Sequence, residues 1–141
     1  VLAGFREGRS LLRRAIEESV RWMPTGAMFS RWVTRDTTLG GVDVPAGSVV
    51  HLCIGASNRD PSRWETPDEY DIHRPMKSTL AFGGGSHICL GMHVARAEMA
   101  VGIGALLDRL PNLRLDPDRD PPAFVGLYER GITALPVVFD A

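Results

Sequence analysis

Between Phe82 and Gly91 the chain reads Phe-Gly-Gly-Gly-Ser-His-Ile-Cys-Leu-Gly, and a run with helical spacing follows directly. Three consecutive glycines, Gly83, Gly84 and Gly85, let the backbone take positive φ and come close to something flat or bulky, because no Cβ stands in the way. Cys89 then falls at the entrance of the helix, where unpaired N–H groups and the positive end of the dipole favour a thiolate. A sulfur so placed is either a nucleophile or a metal ligand. The one nearby base, His87, lies two residues away on a turn, a poor position from which both to orient and to deprotonate the same thiol.

Other chemistry-bearing residues form weaker patterns. Glu18 and Arg21 are i,i+3 neighbours on a helix, which by spacing alone reads as a solvated ion pair. His51 and Cys53 share one strand face, and Cys89 with His93 shares one helix face, so four N/S ligands could converge as a small zinc module. That alternative lacks the short Cys-x-x-Cys knuckle of structural zinc sites and leaves the glycine loop unexplained. Cys53 by itself reads as a small buried residue of an apolar strand.

The elements that must position these residues follow from periodicity. Leu11, Leu12, Ala15, Ile16, Val20 and Trp22 predict an amphipathic helix from Ser10, a good N-cap type, to Trp22, stopped by Pro24 and Gly26. Met28 to Thr34 alternates as a strand. Gly40-Gly41 separates two short β-prone runs as a hairpin turn, Pro45-Ala46-Gly47 makes a second turn, and Ser48 to Ile54 is suited to a buried strand. Pro61, Pro67 and Pro75 make the stretch from Asn58 to Pro75 an irregular meander. Met92, Ala95, Met99, Ile103, Leu106 and Leu110 then mark a second long helix from Gly91 to Leu110, whose Gly102 and Gly104 suggest close packing against another element. The remainder reads as loop with one short strand near Leu135 to Phe139. The expected fold class is α+β: two long helices, a small antiparallel sheet and the meander.

Composition bounds the function. The chain has 141 residues, 44% of them hydrophobic and 23% charged, enough to bury a core. Its 16 Lys+Arg against 17 Asp+Glu give a formal charge of -1, so no net basic field draws it to nucleic acid or to an anionic membrane. No apolar run reaches the roughly 18 residues of a membrane span, and the charged start does not read as a secretory signal. A cytoplasmic protein with reduced thiols is expected.

The loop resembles the haem-binding signature F-x-x-G-x-x-x-C-x-G of the cytochrome P450 family, with Phe82, Gly85, Cys89 and Gly91 at every fixed position. Other segments agree in order. Glu18 to Arg21 is similar to the family's E-x-x-R, Ala56 to Pro61 resembles its bacterial A-x-N-R-D-P stretch, and Tyr70 to Arg74 resembles F-D-x-x-R with Tyr for Phe. Gly131 to Val137 resembles the closing segment of similar bacterial enzymes.

The resemblance implies the proximal, C-terminal part of a single mainly helical cytochrome P450 domain over residues 1–141. It implies haem b (iron protoporphyrin IX) with Cys89 as the iron ligand and sole catalytic residue on this chain. Phe82, Gly83, Gly85, His87, Gly91 and Arg31 would surround the cofactor, His87 and Arg31 meeting its propionates. Glu18, Arg21 and Arg74 would form a charged structural triad. The implied activity is a monooxygenase reaction on a small organic substrate, with electrons from a ferredoxin-type donor for which Arg13, Arg14 and Arg96 offer docking charge or simply a solvated face. Thr25 to Phe29 and Leu127-Tyr128 would face the substrate pocket. The family's distal A-G-x-x-T helix would precede residue 1, with Val1 to Gly8 in the helix or loop after it. The resemblance therefore implies an isolated chain without turnover, and a haem-binding fragment is the alternative from the binding-module class.

Overall fold

Leu11, Leu12, Ala15, Ile16 and Val20 recur along one side of helix α1, Arg9–Trp22. The computed structural model describes residues 9–140, so the expectation for Val1 to Gly8 lies outside the described residues. Ser10 lies within α1 and is not its N-cap, because the helix already includes Arg9. The second long helix forms as its spacing predicts and is named α3, Met92–Arg109, with Gly91 and Leu110 as its caps. A four-residue helix α2, Ile54–Ser57, lies between them in sequence.

The β structure is a set of two-stranded antiparallel ladders. Strands β1 (Phe29–Trp32) and β4 (Val49–Leu52) pair with Phe29 opposite Leu52 and Trp32 opposite Val49. Strands β2 (Thr37–Leu39) and β3 (Val42–Val44) form the expected hairpin, with Gly40 and Gly41 at φ 56° and 83°, the twofold positive φ of a tight primed turn. The expected strand from Ser48 stops at Leu52, and Ile54 opens α2 instead. Nor is that strand buried, since Val49 and Leu52 keep 49% and 40% of their surface exposed. The tail carries more order than its sequence announces. Strands β5 (Arg114–Leu115) and β8 (Val137–Val138) pair, as do β6 (Phe124–Val125) and β7 (Gly131–Ile132).

Helices α1 and α3 pack on each other around Ala15 and Leu107, with Leu11 and Ile72 against them. Leu107, one turn from Ile103 and Leu110 of the face that the spacing selects, is the buried residue; Ile103 and Leu106 of that face stay exposed. Gly102 and Gly104 do not mark a close approach either, because a Cβ built at either meets nothing within 4 Å among the described residues.

A second centre of the fold is polar. Glu18, Arg21, Asn58 and Arg74 are buried beside Trp64. Arg21 grips Glu18 by a fork, Nη2 donating to Oε1 at 2.7 Å and Nε to Oε2 at 2.8 Å. Its remaining donors reach the carbonyls of Asn58, Pro67 and Glu69 at 3.0, 2.8 and 3.0 Å. Arg74 Nε donates to Glu18 Oε1 at 3.3 Å, and the rest of its guanidinium donates to the carbonyls of Glu65, Thr66 and Glu69. The irregular meander is thus ordered by arginines that satisfy its carbonyls, where a strand or helix would satisfy them internally. The exposed i,i+3 pair that spacing alone suggests is in fact buried.

Candidate cofactor site

The loop before α3 is fastened by its own backbone. Gly83 N–H donates to Leu80 O at 2.8 Å and Cys89 N–H donates to Phe82 O at 2.8 Å, so the segment from Phe82 to Cys89 closes on itself. Gly83 at φ 73° and Gly85 at φ 65° take the left-handed conformation that this closure needs, one that a side chain would strain. A Cβ on Gly83 would also sit 3.4 Å from His87 O. Gly85 to His87 forms a single 3₁₀ turn that brings the chain round to Cys89, three residues before α3 begins.

A cavity of about 830 Å³ opens against this loop. Phe82, Gly83, His87 and Cys89 line it from the loop side, and Phe29 and Arg31 of β1 line it from the ladder. Cys89 is a free, exposed thiol. Arg31 reaches the cavity from an exposed strand while Nη1 donates to Ser30 O at 2.9 Å. Gly85 and Gly91 are not in the wall: Gly85 turns the backbone behind it, and Gly91 caps α3 with open space where its Cβ would be.

The wall also contains two residues that the sequence offered only as candidate zinc ligands. His51 and Cys53 line it, with His51 Nδ1 3.0 Å from Ser30 Oγ. Cys53 is exposed and not a buried strand residue, because β4 ends before it and leaves its thiol over the cavity, 4.0 Å from His51 O. Of the segment Thr25 to Phe29, which the resemblance places against a substrate pocket, Thr25, Gly26 and Phe29 line the cavity. Leu127 instead lines a separate cavity of about 410 Å³, and Glu129 takes the wall position expected of Leu127-Tyr128. The zinc arrangement does not form. Cys89 precedes α3, so it and His93 do not share a helix face, and among the described residues no group of three or more His, Cys, Asp or Glu converges as metal ligands.

Two supports tie the loop to the rest of the fold. Asn58, whose carbonyl is held by Arg21, uses Oδ1 to accept the Leu80 N–H at 2.9 Å, so the buried charged centre reaches the first turn of the loop. Glu17 of α1 binds Arg96 of α3, whose guanidinium lies over the Phe82 ring. Arg96 is therefore no free docking charge. Arg14 likewise donates to His73 O at 3.3 Å, while Arg13 is exposed. The Glu17–Arg96 contact joins residues 79 apart and has no sequence signal short of knowing that α1 and α3 pack together.

The electrostatics of the charged centre are set by opposing effects on Glu18. Burial pushes its carboxyl up; hydrogen bonds from Arg21 and the Asp71 N–H, the Arg21 charge and the Arg74 hydrogen bond outweigh it, leaving the pKa below the ordinary 4.5. Glu18 is held as a carboxylate at neutral pH.

An iron tetrapyrrole with acidic arms asks for a sulfur donor, cationic or hydrogen-bonding partners for the acids, and a flat apolar wall. Cys89, Arg31 with His87, and Phe82 beside the Cβ-free Gly83 supply these around one cavity, so the residues present fit the group.

Comparison with known proteins identifies the family. The family model for Cytochrome P450 matches residues 6–132. The chain is 39% identical to pulcherriminic acid synthase of Bacillus subtilis (strain 168), over 94% of this chain and 35% of that protein. It is 41% identical to the C-19 steroid 1alpha-hydroxylase of Sorangium cellulosum (strain So ce56), over 97% of this chain and 36% of that protein. A crystal structure of P450BioI, in complex with an acyl carrier protein ligated to hexadec-9Z-enoic acid, superposes with a TM-score of 0.90 at 38% identity, over 99% of this chain and 36% of that one. The chain thus spans about a third of the length of the relatives it matches. A family model matched over residues 6–132, relatives about 40% identical over nearly the whole chain and a shared fold make this chain a member of the cytochrome P450 family.

Proposed function

We propose that residues 1–141 form the proximal, haem-binding part of a single-domain haem-thiolate monooxygenase that oxidises a small organic substrate. The observation that carries this reading is the convergence of Cys89, Arg31 and His87 on one cavity bounded by the Phe82 wall. In this reading Cys89 would ligate the iron of haem b, and Arg31 and His87 would hold its propionates by charge-assisted hydrogen bonds. Phe82 supplies the apolar contact, Gly83 and Gly85 give the loop its turn, and Gly91 starts the helix behind it.

When bound, the haem supplies the activation of dioxygen and the transfer of one oxygen atom to the substrate. The chain's own residues hold and orient. The closed loop fixes the Cys89 backbone, and the buried charges of Glu18, Arg21 and Arg74 keep the meander and Asn58 in place beneath it. Thr25, Gly26, Phe29 and Glu129 shape the part of the cavity left for substrate. A ferredoxin-type protein is the electron donor, a choice supported by the likeness to bacterial family members.

The test is ligation. In the haem-loaded protein the reduced carbon-monoxide complex should show the red-shifted Soret band of a thiolate ligand; Cys89→Ala should abolish it and Cys53→Ala should leave it. A band that survives Cys89→Ala and disappears with Cys53→Ala would move the ligand to the second thiol of the cavity and overturn the assignment.

A further inference from the structure

Phe82 is anchored through its backbone, and the residue lines two cavities, the large one and a second of about 240 Å³ whose wall includes Val20, Pro24, Ala95 and Met99. A side chain beside a void forgoes some of the close contacts that hold an interior side chain in one rotamer. Its defined partner is the guanidinium of Arg96, whose central carbon lies 4.6 Å from the ring centroid. A cation within about 6 Å of an aromatic face is attracted by the ring quadrupole, more strongly as water is excluded.

Arg96 is itself aimed. Its Nε donates to Glu17 Oε1 at 2.6 Å and its Nη2 to Glu17 Oε2 at 3.0 Å. Both side chains are part-buried, 32% and 19% exposed. A two-pronged pair of this kind fixes the plane of the guanidinium as well as its position, which a single contact or a lysine would not do. The Glu17 hydrogen bond is also the leading reason that the Arg96 pKa is raised, so the group is a permanent cation. The Phe82 carbonyl, at the other end of the same residue, receives the Cys89 N–H at 2.8 Å. Contacts therefore run from α1 through Glu17, Arg96 and Phe82 to the backbone of Cys89.

We propose that Arg96, oriented by Glu17, is a positioning residue for the cofactor: it sets the plane of the Phe82 ring and brings a fixed positive charge to the back of the wall that the haem lies against. The inference rests on the reading of Cys89 as the iron ligand. Its consequence is electrostatic as well as geometric, because loss of the cation would leave the Glu17 carboxylate uncompensated behind the wall, and the charge environment of a haem is one of the levers on its potential.

The experiment measures the reduction potential of the haem-loaded protein, together with haem transfer to a scavenger protein and thermal unfolding. Arg96→Gln should lower the potential and speed haem loss about tenfold. Arg96→Lys, which keeps the charge but not the fork, should recover only part of the potential. In a Phe82→Leu background Arg96→Gln should have a smaller effect than in the parent, since the ring through which Arg96 acts is gone. Should Arg96→Gln not fold, Glu17→Gln, which releases the plane and keeps the cation, is read in the same parent and Phe82→Leu backgrounds and should show the same dependence on the ring. A fall in unfolding temperature with an unchanged potential, or equal effects in both backgrounds, would reduce the pair to a structural ion bridge and overturn the proposal. Failure of the Cys89 assignment is read separately, by the parent protein lacking the thiolate Soret band.

Discussion

Glu18 accepts four hydrogen bonds at a buried position: two from Arg21, one from Arg74 and one from the Asp71 N–H. Removing one partner of such a network strands the other charges, and the general cost is about 3–5 kcal/mol. Because the folded pKa of Glu18 lies below its ordinary 4.5, this contribution is fully present above that value and is lost as pH falls through the folded pKa. Glu18→Gln should therefore destabilise strongly at neutral pH and progressively less in acid, which urea unfolding across pH 2–7 measures; a pH-independent difference would contradict the carboxylate role. At this scale the sequence was readable where chemistry is local. The glycines and Cys89 of the loop announce themselves because their roles follow from a missing Cβ and a helix start. Cys53 does not, since whether a thiol after a strand is buried depends on what covers the strand. Nor does Asn58 as a bridge between Arg21 and Leu80, because its two partners lie on different segments.

Among the elements, α1 and α3 and the Gly40-Gly41 hairpin were legible because each spans enough residues, or a specific enough turn, to show a period. Strands β5, β6 and β7 were not, as two residues cannot display an alternation. Which residue of α3 is buried deepest is not legible from its spacing either. Apolar residues occur around much of that helix, and only contact with Ala15 shows that Leu107 is the buried one. The open surroundings of Gly102 and Gly104 lead to a direct expectation. Gly102→Ala and Gly104→Ala should each stabilise the chain by about 1 kcal/mol in chemical denaturation, the propensity difference at an uncrowded helical site. Destabilisation by either substitution would show that another surface packs closely on that side of α3.

Across the whole molecule, the large side chains left outside are notable. Leu90, just before α3, is 98% exposed; within α3 Val101 is 72% exposed, and Val94 and Leu106 are exposed as well. Single exposed apolar residues are ordinary, but several on one element form a patch that associates or is covered. The 141 residues alone should therefore self-associate and bind a hydrophobic dye, as light scattering and dye fluorescence measure; a monodisperse, dye-silent monomer would contradict this. Among the described residues no helix is long and apolar enough to cross a membrane. The resemblance implied the charged triad of Glu18, Arg21 and Arg74, but not which main-chain oxygens Arg21 and Arg74 bind, because carbonyls belong to every residue type alike.

That last point bears on how this part of the chain can vary. Arg21 and Arg74 touch residues 58, 65, 66, 67 and 69 through their main-chain oxygens. What they read is the path of the chain and not the lettering along it. Substitutions there can drift while the route is preserved, but adding or deleting one residue moves every later oxygen out of register with the guanidinium forks. The meander is in this sense a ruler: tolerant of its markings and intolerant of a change in length.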